Sequence, residues 1–77
     1  MRVLDAYATG DNIRKLRKSF GMTVSELRES LGLCSEQAIY KWQRGESMPT
    51  LDNCTMLAEV FDINLDELIK TKEIDSK

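Results

Sequence analysis

The sequence predicts an all-α fold of five helices, and three observations lead there. Apolar residues recur at three- and four-residue spacing in five successive stretches, and no run of strict alternation competes with them. A residue that caps helices precedes each stretch: Thr9, Thr23, Ser35, Thr50 and Asn64. Glycine follows the first three, at positions 21, 32 and 45, and the single proline, Pro49, stands just before the fourth.

Taken in order, the first helix is expected over about 11–20, with Thr9 as N-cap. Ile13, Leu16 and Phe20 form its apolar stripe. Arg17 falls four residues after Ile13 and shares that inward side. A lone buried guanidinium is costly, so it needs a partner. Thr23-x-x-Glu26 is a capping box for the second helix, whose stripe is Val24, Leu27 and Leu31. Ser35 caps a third helix over 36–44. Thr50 caps a fourth that turns Leu51, Cys54, Leu57, Ala58 and Phe61 inward. Asn64-x-x-Glu67 opens a short fifth, packed through Leu65, Leu68 and Ile69. Residues 1–9 read as an N-terminal extension, of which 1–8 add a strand or a helix beside the bundle. Residues 10–70 form the domain, and 71–77 a frayed C-terminal tail.

Seventy-seven residues, 42% hydrophobic and 31% charged, suit one small globular core. No apolar run is long enough to cross a bilayer and no signal-peptide pattern opens the chain, so it reads as cytoplasmic and free of the membrane. Catalysis is not expected. There is no histidine, no nucleophile elbow and no phosphate-cradling glycine loop, and the core is too small for a sizeable pocket. No cofactor or metal site is expected either, since Cys34 and Cys54 lack a ligand spacing and read as plain thiols. Cys34, in a turn, is weighed as a redox sensor and Cys54 as core filler.

The net charge of −2 hides an asymmetry: residues 1–44 carry eight basic against five acidic side chains, and residues 45–77 three against eight. An anion-binding surface therefore belongs to the first half. The third helix is where it should lie. Ala38, Ile39 and Trp42 gather on one side, whereas Gln37, Tyr40, Lys41 and Arg44 fall at i, i+3, i+4 and i+7 on the other. Gln37 can pair bidentately with adenine. Lys41 and Arg44 suit phosphate or guanine, and Tyr40 a thymine methyl or a phosphate. Ser35, Glu36 and Gln37 occupy the first turn, which enters a major groove most deeply. Trp42, by its spacing with Ile39, belongs in the core rather than on a base. The acidic fourth and fifth helices read as a solvated far side, or as a surface for a protein partner.

These residues carry a family resemblance. The runs NIRKLRKSFGMTVSEL, LGL, QAIYKWQRGESMPTLDN and LAEVFDINLDELI, between Asn12 and Ile69, resemble the Cro/C1-type, or XRE-type, helix-turn-helix family. The likeness covers about three quarters of the chain and points to small stand-alone bacterial regulators. It implies a lambda-repressor-like five-helix bundle and double-stranded DNA as partner. Residues 36–44 become the recognition helix, with Ser35, Glu36, Gln37, Tyr40 and Lys41 reading bases. Thr23, Arg44 and Ser47 then meet the backbone, with amides at the start of the second helix turned to a phosphate.

The sequence departs from the family pattern in several places. Valine stands at position 24, where glutamine is usual, and arginine at 28, where alanine is usual. Glu46 occupies a position that is often basic, and the turn is one residue longer at Cys34. Together these bear on affinity and not on the fold. In the family a glutamate just before the glycine that ends the third helix pairs with the residue corresponding to Arg17. Here Gln43 stands there, so Arg17 is expected to donate to its side-chain carbonyl.

The resulting expectation is a sequence-specific transcriptional regulator, a repressor, binding an inverted-repeat operator as a weak homodimer in the nucleoid. Ile69, Ile74 or the Val3-Leu4 segment would supply the contact between protomers. The competing expectation is an antitoxin-like or adaptor module that binds a protein through the acidic face and touches DNA weakly or not at all.

Overall fold

Five helices and a two-stranded antiparallel ribbon make up residues 1–32 and 34–75, which a computed structural model describes. Leu33, Ser76 and Lys77 lie outside the described residues, and with them part of the lengthened turn and the end of the expected tail. In chain order the elements are β1 (Arg2–Leu4), α1 (Ala6–Ser19), α2 (Val24–Leu31), α3 (Glu36–Gln43), α4 (Leu51–Val60), α5 (Leu65–Leu68) and β2 (Thr71–Glu73).

The caps for the second to fourth helices act as their sequence suggests. Thr23 and Glu26 close a reciprocal capping box, the Ser35 hydroxyl accepts from the Ala38 amide at 3.1 Å, and that of Thr50 from Asn53 at 3.2 Å. At α5 the Asn64 amide donates to the Glu67 carboxylate at 2.9 Å. The helix ends are equally regular. After α1 the amides of Gly21 and Met22 reach back to Lys18 and Arg17, and after α3 those of Gly45 and Glu46 reach Trp42 and Lys41. Both are Schellman closures around a glycine at positive φ. Helix α4 ends the same way, but Asp62 takes the left-handed position with φ 54°.

The first helix corrects the sequence reading. It begins at Ala6, not near Asp11, and Asp5 is its N-cap, accepting from the Ala8 amide at 2.9 Å. Thr9 is not a cap but a fully buried helical residue. Its hydroxyl accepts from the Lys70 amide at 2.9 Å and lies 3.4 Å from the Lys70 carbonyl, to which it donates. The physical reason is periodicity: Thr9 and Gly10 stand four and three residues before Ile13 and continue its inward side.

The tail is corrected too. Residues 71–73 are not frayed but form β2, which pairs with β1 in the register Arg2↔Glu73, Val3↔Lys72, Leu4↔Thr71. The Asp5 amide, donating to the Lys70 carbonyl at 2.9 Å, continues the connection toward α1. Arg2 binds Thr71 and Glu73 across the ribbon, each at 3.1 Å. Strands of three residues, mostly exposed, leave no alternating pattern for a sequence reading to find.

Ile13, Leu27, Leu31, Ile39, Leu57, Phe61 and Leu68 form the core, with Val24, Trp42 and Cys54 around them. Two apolar expectations shift. Leu51, at the first helical position of α4, is 68% exposed rather than inward. Phe20 is half exposed, yet its ring packs on Phe61 with centroids 5.5 Å apart.

The tightest contact is between backbones. A Cβ built on Gly10 would lie 1.7 Å from the Trp42 carbonyl oxygen, so α1 and α3 meet where no side chain fits. Gly10→Ala is therefore expected to cost on the order of 3 kcal/mol in urea denaturation despite alanine's better helix propensity. Asp62→Gly, which relieves the left-handed position, is expected to gain about 0.5–1 kcal/mol in the same assay.

Candidate nucleic-acid interface

Helix α3 is held from behind at several points. Ile39 is fully buried, and Trp42 is 4% exposed. The Gly10 contact sits on the Trp42 carbonyl. One residue past the helix's C-cap, a Cβ on Gly45 would stand 2.8 Å from the Cα of Tyr7 in the first turn of α1. The end of α3 is thus seated directly on the start of α1, with glycine on each side of the contact.

Arg17 adds a polar fastening. Its Nε donates to the Gln43 side-chain oxygen at 3.0 Å and a terminal nitrogen to the Met22 carbonyl at 2.7 Å. One guanidinium thereby joins α1, the turn into α2 and the last residue of α3. A charged donor bonded to two oxygens in a half-buried position meets the need for a partner that its inward placement created.

With that side anchored, the opposite side of α3 faces solvent. Glu36, Gln37, Tyr40 and Lys41 are exposed, as are Ser35 before the helix and Arg44 at its C-cap. The helix ends at Gln43, one residue earlier than its sequence suggests. Ser35 spends its hydroxyl lone pair on the cap, leaving its proton free to donate outward. Ser47 is exposed in the following loop.

Thr23 belongs to a different element, the start of α2, where the capping box changes what it can offer. Its amide donates to Glu26 at 2.8 Å, and its hydroxyl accepts from the Glu26 amide at 3.1 Å. Only the hydroxyl proton of Thr23 remains for a phosphate. The amides left for an anion are those of Val24 and Ser25. The backbone hydrogen bond from Thr23, with a further contribution from its hydroxyl, holds the Glu26 carboxyl below its ordinary 4.5, so the carboxylate persists there.

At the other end, Arg44 and Glu46 form a close ion pair. The Arg44 hydrogen bond, followed by the charges of Arg44 and Lys41, keeps the Glu46 carboxyl below its ordinary value. Burial pushes the Cys34 thiol up, only partly opposed by Arg28, which disfavours the thiolate that a reactive sensor needs. Cys54 is buried with its thiol 3.7 Å from the Pro49 carbonyl. Among the described residues no cluster of His, Cys, Asp or Glu fits a metal ion, and no helix is long and apolar enough to cross a membrane.

Tyr7 and Gly10, outside the residues expected from the sequence to matter here, position α3 without belonging to it. Stepping the Ile13 stripe back by one turn would have found Gly10, a small residue where two helices cross.

Two outcomes test these fastenings. Gln43→Ala is expected to cost about 1–2 kcal/mol in thermal unfolding, and Gln43→Glu to equal or exceed the original stability. The Glu26 carboxyl titrates lower in the fold than in the unfolded chain. The stability it adds is therefore complete above pH 4.5 and lost as pH falls through the lowered value. The advantage of the original protein over Glu26→Gln should vanish on acidification past that point.

A helix-turn-helix family model matches residues 13–68. An HTH-type transcriptional regulatory protein of Pyrococcus furiosus is 36% identical over 53 residues, which cover 69% of this chain and 16% of that protein. The cryptic phage CTXphi transcriptional repressor RstR of Vibrio cholerae is 28% identical over 58 residues, 75% of this chain and 51% of the repressor. The chain thus spans under a fifth of the archaeal relative and about half of the phage repressor. Among solved structures, the restriction-modification controller protein C.AhdI of Aeromonas hydrophila superposes with a TM-score of 0.75 at 30% identity. The match covers 83% of this chain and 96% of that one. The DNA-binding domain of BldD from S. venezulae superposes with a TM-score of 0.73 at 22% identity, covering 86% and 97%, a likeness of fold.

Proposed function

The chain belongs to the helix-turn-helix family, and we propose that it is a sequence-specific DNA-binding regulator of transcription, acting as a repressor. It lays α3 in the major groove of a double-stranded operator. The observation that carries this reading is the division of α3 into a buried side, Ile39 and Trp42, and an exposed polar edge, Gln37, Tyr40, Lys41 and Arg44. A helix anchored behind and polar in front is what groove reading needs.

In this reading Ser35, Glu36 and Gln37 enter the groove first. Gln37 pairs with an adenine, and Glu36 accepts from a cytosine amino group. Tyr40 and Lys41 follow on the same edge. Thr23, through its hydroxyl, Arg44 and Ser47 position the domain on the backbone. One such helix reads only a few base pairs, so a homodimer on an inverted repeat supplies the remaining specificity. The protein works in the cytoplasm at the nucleoid and needs no cofactor.

The second reading is a protein-binding module of the antitoxin or adaptor kind. The exposed carboxylates Asp52, Glu59, Asp62, Asp66 and Glu67 of the far side favour it, as does the engagement of Arg44 by Glu46.

Selection of bound sequences from a random duplex library, followed by gel-shift assays, separates the two. Groove reading predicts a two-fold symmetric consensus. Gln37→Ala should lose about 1–3 kcal/mol of discrimination at one base position. Lys41→Ala should weaken binding and lower the salt dependence by about one unit of slope per protomer. No binding at low salt, or binding indifferent to both substitutions, would leave the protein-partner reading in its place.

A further inference from the structure

We propose that Glu46 is an affinity-setting residue of the DNA-binding surface: its carboxylate holds Arg44 in the way a backbone phosphate would, and a docking duplex must displace it. This rests on the DNA-binding reading above and adds to it a residue that works against binding by competition rather than by repulsion alone.

The geometry places the competitor firmly. Glu46 is the second residue after the C-cap of α3, and its amide is bonded to the Lys41 carbonyl at 2.9 Å. Gly45, at φ 76° and against Tyr7, leaves that closure little freedom. The Glu46 backbone is therefore part of the helix end, and its side chain pairs with Arg44 at the C-cap of α3 and feels the charge of Lys41. Arg44 is held by a close ion pair, and Lys41 acts on the same carboxylate through space. Between Glu36 and Ser47 the charged residues are Glu36, Lys41, Arg44 and Glu46, which cancel. Removing Glu46 leaves the recognition helix and its loop net cationic.

The pair is displaceable. Arg44 and Glu46 are 57% and 52% exposed, and an exposed ion pair contributes little to stability. A phosphate that takes Arg44 releases one condensed cation from DNA. The freed carboxylate stays beside the phosphates and offsets the charge of Arg44, so the pair adds less to the net release that drives binding than Arg44 alone would. Arg44 therefore adds less to the salt dependence while Glu46 is present than it would alone.

The test is a double-mutant cycle read on a duplex of random sequence, which reports backbone contacts without requiring the operator. Binding is measured by fluorescence anisotropy across a range of salt for the original protein, Glu46→Gln, Arg44→Ala and the double variant. Thermal melts check that all four are folded. Glu46→Gln is expected to tighten binding on the order of fivefold and to steepen the salt slope by about one per protomer. Arg44→Ala should weaken binding about twofold beside Glu46 and about tenfold in the Glu46→Gln background, where it removes the whole gain. Equal tightening by Glu46→Gln with or without Arg44 would show simple repulsion and overturn the proposal, leaving DNA binding intact. Unchanged binding in Glu46→Gln would do the same. If none of the four binds at low salt, the DNA-binding reading falls and this proposal with it.

Discussion

The contact between Gly10 and the Trp42 carbonyl sets the position of everything that faces outward. Most helix pairs are kept apart by side chains, and their separation adjusts when those side chains change. Here α1 and α3 meet at bare backbone, so the spacing is a hard limit rather than a compromise. Trp42 takes part twice, with its indole in the core and its carbonyl against α1. The rotation of α3 about its own axis follows from that double engagement. Because Ile39 and Trp42 must point inward, Gln37, Tyr40 and Lys41 must point out.

Polar groups complete the assembly. Thr9 and Asn12, on the inward flank of α1, bind backbone groups of residues 67–70, and so tie the start of the fold to its end. Arg17 does the same for the turn between α1 and α2 and the last turn of α3. In each case a buried or partly buried polar side chain is satisfied by backbone or side-chain amide groups, most of them distant in sequence. Such bonds add modest stability but penalise any other arrangement, since breaking one strands a desolvated group. Glutamine at position 43 keeps the hydrogen bond of the Arg17 fastening without a second charge.

The candidate surface is mechanically well prepared and electrostatically restrained. Carboxylates stand at both places where the proposed reading puts phosphates: Glu26 in the capping box of α2, and Glu46 at the end of α3. The same residues that secure the helix ends subtract from the attraction for an anionic partner. In the proposed reading such a surface depends less on long-range charge and more on fit within the groove, which favours discrimination over bulk affinity.

The periodicity of apolar residues, the caps and the glycines after the second and third helices were local signals. From them the sequence alone determined α2 through α4, the inward placement of Trp42 and the polar edge of α3. Arg17 also announced its need for a partner, because its place on the Ile13 side is a matter of helical geometry. The true start of α1, the burial of Thr9 and the ribbon between residues 2–4 and 71–73 were settled by tertiary structure. These depend on groups some sixty to seventy residues apart, and no short window contains both halves of such a contact. The pairing of Arg44 with Glu46 was hidden for another reason. The two residues are close in sequence, but only the closed helix end around Gly45 turns them toward each other.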